Sequence, residues 1–326
     1  MSQETNAASS ATPPQRWYGL DGRIVPAEQA GFPLHSPAAK YGLSVFEGFR
    51  GYWSEERGDV FVFRTAEHYR RLAESARLIW IPVLWSGEEM LAHMLEVARA
   101  NDFRFDIQLR HGIYLGGEAE FGSQTMSNHF VIVNPRGRAF DTSKGIKAGI
   151  STWGRIHDTD LPPRIKAGGN YLNSRMGLLE ARRHGYDTAI FLGRDGKVSE
   201  APTACLFMVR HGHVVTPPGT ASILESITRD TVIKFLRDDL GETLVEATID
   251  RTELYVADEV FLAGTAAEII PLVSVDGLKI GSGEPGPVTR RVQKLYDDTV
   301  HGRVPKYSDW LTPIYGTQSA VAKERA

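Results

Sequence analysis

At 326 residues, with 42% hydrophobic and 24% charged side chains, the chain is long enough for two domains and ordinary for a globular protein. A net charge of −3, with no basic stripe interleaved with aromatics, argues against nucleic acid, and no apolar run reaches the ~20 residues of a membrane span. Cys205 is the only cysteine, which excludes an intrachain disulfide and any metal site built on thiolates.

The first residues, 1–16, are polar and small and lack a hydrophobic signal core, so a disordered tail and a cytoplasmic protein are expected. Tyr18 to Pro26 predicts a hairpin on an Asp21-Gly22 turn. Tyr41 to Tyr52 continues as extended or turning chain, and Asp59–Phe63 alternates as a short strand. Glu67 to Ile79 has helical spacing, with Tyr69, Leu72, Ala76 and Ile79 on one face. A second amphipathic helix spans Gly87 to Ala100, its apolar set being Met90, Leu91, Met94, Leu95 and Ala98. Strands follow at Ile107–Leu115 and Phe130–Val133.

Asn134-Pro135-Arg136-Gly137-Arg138 is polar and broken by proline and glycine, which marks a linker over 134–142. Two domains are therefore expected, at 17–133 and 143–312, with a flexible tail at 313–326. In the second, Ile146–Ser151 predicts a strand and about Asn170–His184 a helix. Thr188–Gly193 and Cys205–Val209 read as strands separated by an Arg194-Asp195-Gly196 turn, with Cys205 a small core residue. His211-Gly212-His213 is another tight turn, Ile227–Leu240 a helix and Glu259–Gly264 a strand. Strands alternate with single helices without the regular repeat of a parallel sheet. The fold class is α+β.

The chemistry centres on Arg164-Ile165-Lys166-Ala167-Gly168-Gly169-Asn170-Tyr171. A lysine presented without steric cover forms a Schiff base with an aldehyde; the two glycines let the backbone turn tightly and approach a flat ligand. Tyr171 adds a ring and a hydroxyl. Thr228, in Ile223-Leu224-Glu225-Ser226-Ile227-Thr228-Arg229, is expected to cap the following helix, whose first amides suit a phosphate. Gly264-Thr265-Ala266-Ala267-Glu268 offers a second anion nest, and Arg71 a guanidinium. Glu200 follows a hairpin turn, where a carboxylate is either solvated or set to hold a proton on a pyridine nitrogen. No dinucleotide fingerprint, P-loop, zinc-protease motif or nucleophile elbow is present, and the ten histidines are too scattered to predict a metal.

An aldehyde-binding lysine, a phosphate cup and an acid for a ring nitrogen are the parts that pyridoxal 5'-phosphate (PLP) needs. From about Trp17 to Leu311 the chain resembles the branched-chain aminotransferases of class IV, the fold-type IV PLP enzymes. The resemblance rests on Tyr41-Gly42-Leu43-Ser44-Val45-Phe46-Glu47-Gly48, the Lys-Ala-Gly-Gly-Asn-Tyr segment and Glu180-Ala181-Arg182-Arg183-His184-Gly185-Tyr186-Asp187. Ile227-Thr228-Arg229-Asp230, Ala257-Asp258-Glu259-Val260-Phe261, Gly264 to Glu268 and Ser274-Val275-Asp276-Gly277 extend it. It implies a smaller N-terminal α/β domain, a larger β-rich domain with flanking helices, and a homodimer or higher oligomer with the site near the subunit interface.

The resemblance also implies roles. Lys166 is the Schiff-base lysine and proton shuttle, Glu200 the partner of the pyridine nitrogen, and Tyr171 that of the phenolic oxygen. Arg71, Ile227, Thr228 and Thr265 match the phosphate site. Thr265 and Ala266 lie where a substrate carboxylate is held. Phe46, Gly48 and Tyr41 match the substrate pocket, Tyr41 as a contribution from the neighbouring subunit. Arg110 falls where the distal carboxylate of glutamate is gripped. The implied reaction passes the amine of a branched-chain or related L-amino acid to 2-oxoglutarate.

Departures cluster around the pocket. Ala201-Pro202-Thr203-Ala204-Cys205 stands in place of Gly-x-Gly-Glu-Asn, Glu225-Ser226 in place of Pro-Gly, and Gln108 in place of a tyrosine. Serine is less tolerant of positive φ than glycine, and a carboxylate at Glu225 repels a phosphate unless it points away. An (R)-amine or D-amino-acid transaminase, or an aminodeoxychorismate lyase-like enzyme, shares the fold as an alternative. A non-catalytic binding homologue is a further one.

Overall fold

The computed structural model of the protein describes residues 15–122, 126–138 and 140–316. Most of the expected tails, 1–14 and 317–326, lies outside the described residues. Strands β1 (Trp17–Leu20) and β2 (Arg23–Pro26) form the hairpin on Asp21-Gly22. The segment expected to be extended from Tyr41 divides: a short helix α1 (Pro37–Tyr41), capped by Ser36, ends at Gly42, and β3 (Ser44–Ser54) follows. Proline at the start of α1 suits a first turn whose N–H is unpaired anyway. Next come β4 (Asp59–Phe63), α2 (Thr65–Leu78), α3 (Gly87–Asn101), β5 (Ile107–Leu115) and β6 (Ser127–Pro135). Strand β6 runs through Pro135, so the first two residues of the expected linker are still paired with β5.

The remaining elements are β7 (Ile146–Ile150), α4 (Tyr171–Arg183), β8 (Thr188–Ile190), β9 (Cys205–Arg210), β10 (His213–Thr216) and α5 (Ile227–Asp238). They continue with β11 (Leu244–Glu246), α6 (Arg251–Tyr255), β12 (Glu259–Gly264), β13 (Glu268–Val275), β14 (Leu278–Lys279), α7 (Pro287–Val300) and β15 (Leu311–Pro313). Among the described residues the strands form two sheets. One runs β15-β4-β3-β5-β6-β1-β2; the other runs β11-β10-β9-β12-β13-β7-β8, with β14 paired to β13. Strand β15 is a correction: it returns to the first sheet beside β4, in register Leu311↔Phe63, so the expected boundary at 312 falls inside a paired strand.

Strand β8 also stops earlier than expected. After the Arg194-Asp195-Gly196 turn the chain does not run directly into β9. It folds back first: Leu192 bridges Val198, and Phe191 N donates to Glu200 O at 2.9 Å.

Burial explains the layering. Tyr69, Leu72 and Ala76 of α2 and Met90, Met94 and Ala98 of α3 pack on Phe49, Leu109, Ile113 and Val131 of the first sheet. Ile79, Leu91 and Leu95 sit at the margin, partly buried. On the second sheet, Val232, Phe235 and Leu236 of α5 and Val292 and Tyr296 of α7 cover Phe207 and Phe261, and Tyr52 and Phe63 of the first sheet join the same cluster. That shared core ties the sheets together, and the lysine segment threads between them. Phe46 N in β3 donates to Lys166 O at 3.0 Å, Val45 bridges Ala167, and Lys166 N donates to Ser75 Oγ of α2 at 3.1 Å.

Polar groups are also buried under α2 and α3. His111 Nε2 and His129 Nδ1 are 2.8 Å apart, and Tyr69 Oη lies 3.0 Å from His111 Nδ1. Burial, with His129 and His93 alongside, pushes His111 well below the usual histidine value of 6.5. Burial and His93 push His129 to about 4, against a weaker opposite pull from Asp21. A depressed histidine stabilises the fold above its unfolded pKa, and that contribution is lost as pH falls toward the folded one. The denaturant midpoint of the apoprotein should therefore fall between about pH 6.5 and pH 4, with a shallower slope in His129→Gln. Urea unfolding across that range checks it, and a midpoint flat between pH 7 and pH 5 contradicts it.

Candidate active site

The second anchor of the lysine segment is Asn170, whose Nδ2 donates to Pro162 O (3.0 Å) and Ile165 O (2.9 Å). Gly168 and Gly169 open a short turn into α4, and neither adopts positive φ. What Gly168 provides is clearance, since a Cβ there would press on Ser44 Oγ at 3.3 Å. Tyr171 becomes the first residue of α4. Its Oη accepts from Lys166 Nζ at 2.7 Å.

Lys166 and Tyr171 line a cavity with about 730 Å³ of empty space, part of it open to solvent. Phe46 and Gly48 of β3 and Gln108 and Arg110 of β5 line the same cavity, because the pairs Phe46↔Gly112, Gly48↔Arg110 and Arg50↔Gln108 share one face. Phe46 packs on the Tyr171 ring at 5.1 Å, and the Arg110 guanidinium lies over Phe46 at 4.3 Å. Arg71, Glu200, Thr265 and Ala266 complete the expected residues brought together there.

Glu200 is buried, and burial pushes its carboxyl above the ordinary value while Arg155 and the Leu224 amide pull against that. Arg155 Nη2 donates to Glu200 Oε1 at 2.6 Å, and Leu224 N approaches both oxygens at 3.2 Å. Cys205 is buried as expected but also lines the cavity, its Sγ 3.7 Å from Glu200 Oε2. Arg71 meets Glu47 through two nitrogens and the Glu225 carbonyl through the third.

The helix cap is two residues earlier than expected. Ser226, not Thr228, caps α5, its Oγ accepting from Arg229 N at 3.2 Å with φ −77, a value open to any residue. Ser226 reaches the cavity; Ile227 and Thr228 are buried in the first turn, whose amides lack partners inside the helix. Glu225 points away: its carboxylate is taken by Arg164 Nη1 at 2.7 Å, so the feared repulsion is neutralised. At the β12–β13 turn, a Cβ on Gly264 would meet Thr203 O at 2.7 Å, and glycine alone allows that approach. Tyr41 lies outside the cavity of its own chain, exposed and edge-on to Phe121 at 5.1 Å.

Sequence reasoning missed Arg155 and Ser226, and gave no role to Glu47. Arg155 lies in an irregular segment with no periodicity to place it. The donor set fits a flat phosphorylated aldehyde: a primary amine beside a phenol, a guanidinium and helix-start amides for a dianion, and a buried carboxylate for a ring nitrogen.

Such a site between two sheets defines a cofactor-dependent group-transfer enzyme. Residues 44–275 match the family model for class IV amino-transferases. A branched-chain-amino-acid aminotransferase of Escherichia coli (strain K12) is 39% identical over 305 residues, covering 91% of this chain and 96% of the relative. The crystal structure of a branched-chain aminotransferase from Thermoproteus uzoniensis with norvaline is 40% identical, with a TM-score of 0.89 over 92% of this chain and 100% of that one. The branched-chain amino acid aminotransferase of Thermobaculum terrenum in PLP form is also 40% identical, with a TM-score of 0.87 over 92% and 98%. The chain belongs to the class IV aminotransferases.

The Arg155–Glu200 pair yields a test. Arg155→Leu leaves a carboxylate buried without its guanidinium, which should cost about 3–5 kcal/mol, whereas Arg155→Leu with Glu200→Leu should recover part of it. Urea unfolding of the apoproteins at pH 7.5 measures both. A single variant within about 1 kcal/mol of wild type contradicts the pairing.

Proposed function

We propose that the protein is a PLP-dependent transaminase that passes the amine of a branched-chain or related hydrophobic L-amino acid to 2-oxoglutarate. The observation that carries this is Lys166 Nζ, 2.7 Å from Tyr171 Oη, in one cavity with Arg71 and Glu200. When bound, PLP supplies the aldehyde that receives the amine and a ring that takes up the electron pair left by the α-proton. Lys166 Nζ would take up that proton and later give one back, general base then general acid. Tyr171 Oη orients the amine.

Glu200 accepts from the ring N–H, and burial keeps water from competing for it. Arg71, the first-turn amides of Ile227 and Thr228, and Thr265 hold the phosphate. Thr265 and Ala266 receive the substrate carboxylate. Phe46, Gly48 and Gln108 shape the side-chain pocket, and Arg110, without an acidic partner among the described residues, takes the distal carboxylate of 2-oxoglutarate. A homodimer or higher oligomer with Tyr41 reaching the partner's cavity belongs to this reading, supported by the exposed Tyr41 and Phe121 rings that meet edge-on at 5.1 Å. So do two domains, divided after β6 ends at Pro135 and with β15 returned to the first, and a cytoplasmic location; no described helix is long and apolar enough to cross a membrane.

The test is glutamate formation by PLP-loaded protein from L-leucine and 2-oxoglutarate. Wild type should turn over, and Lys166→Ala should fall by at least about 10³-fold. Turnover with D-leucine or (R)-1-phenylethylamine but not L-leucine would move the protein to another branch of the family.

A further inference from the structure

Glu47 is fully buried on β3, on the face opposite Phe46 and Gly48. Its Oε1 accepts from Arg71 Nε at 2.7 Å and its Oε2 from Arg71 Nη2 at 2.8 Å, a two-point grip that fixes the plane of the guanidinium. His68, one turn of α2 before Arg71, lies with Nδ1 2.7 Å from the same Oε2 and holds the carboxylate from the other side. Phe49 packs on His68 at 4.6 Å between ring centroids and backs the imidazole that meets the acid.

The donor count gives the arrangement its meaning. A guanidinium carries five N–H groups. Two go to Glu47 and one, on Nη1, to Glu225 O at 2.7 Å, which leaves two: one on each terminal nitrogen. Arg71 lines the cavity beside Ser226, where α5 begins. An ion pair wholly out of water returns little net stability, because desolvation offsets the attraction. What it fixes is direction. Burial alone would raise the Glu47 carboxyl, but Arg71 and His68 outweigh it and hold the group well below the usual carboxylate range, so the grip persists at neutral pH.

We infer that Glu47, braced by His68, is the positioning residue that aims the two remaining Arg71 N–H groups at the cofactor phosphate. The inference rests on the proposal that PLP binds at Lys166 with its phosphate at Arg71. Glu47 touches neither cofactor nor substrate; it acts through Arg71.

The experiment titrates apoprotein with PLP and, separately, with pyridoxal, which lacks the phosphate, following the visible absorption that develops at Lys166. In Glu47→Gln the preference for PLP over pyridoxal should drop about 10- to 100-fold, while pyridoxal affinity stays within about twofold of wild type. Arg71→Ala should lose the same preference, and adding Glu47→Gln to it should change nothing more. A purely structural Glu47 would weaken both ligands together or add to Arg71→Ala, and either result overturns the inference. If Glu47→Gln does not fold, the His68 variants decide: His68→Leu should lower the preference and His68→Asn, which restores a donor, should recover it. A wild-type preference in His68→Leu overturns it too. No band with either ligand in wild type would instead defeat the cofactor reading beneath it.

Discussion

The structure depends on a two-residue stitch between β3 and the lysine segment. Phe46 N donates to Lys166 O, and Val45 bridges Ala167. Everything chemical is referenced to it. It sets the lysine backbone against a strand of the first sheet, while Tyr171 starts a helix lying on β8 of the second. The amine therefore emerges where the sheets meet, and groups from both converge on it. A side chain on a free loop would lack that precision, since placement within a fraction of an ångström needs support from rigid elements.

Two buried carboxylate–guanidinium pairs then flank the lysine, with opposite assignments. In Glu47–Arg71 the arginine faces the cavity and the acid stands behind it; in Arg155–Glu200 both partners line the cavity. Neither pair is a strong source of net stability. Each fixes the orientation of a charged group in a place where water could not, at a desolvation cost covered by the apolar clusters on both sheets. The departures around the cavity fit this frame. Glu225 is drawn off by Arg164, Ser226 supplies the cap, and Thr203 O packs against Gly264, so the altered residues leave the charged frame intact.

Much of this is legible in the sequence, and the limits are physical. Helices α2, α3 and α5 announce themselves by periodicity, and the Asp21-Gly22 turn by its residues. Lys166, Tyr171, Glu200 and Arg71 are readable because each sits in a short ordered motif, and all four meet in one cavity. Strand β15 is not readable: three residues pair with β4 nearly 250 positions away, and no local pattern encodes such a contact. Arg155 is silent for the same reason: it sits in an irregular segment, and its partner Glu200 lies beyond both α4 and β8. The α5 cap is misjudged because Ser226 and Thr228 are both good capping types two residues apart, and only the backbone angle chooses between them. Tyr41 is exposed and does not line the cavity of its own chain, and no local pattern in the sequence separates it from the residues that do.

If Lys166 takes up PLP, the bond can be trapped on that residue. Borohydride reduction of PLP-loaded protein, followed by trypsin and mass spectrometry, tests it directly. One phosphopyridoxyl label is expected, on the peptide Ile165–Arg175, uncut at Lys166. A label on any other lysine, or none at saturating PLP, would contradict it.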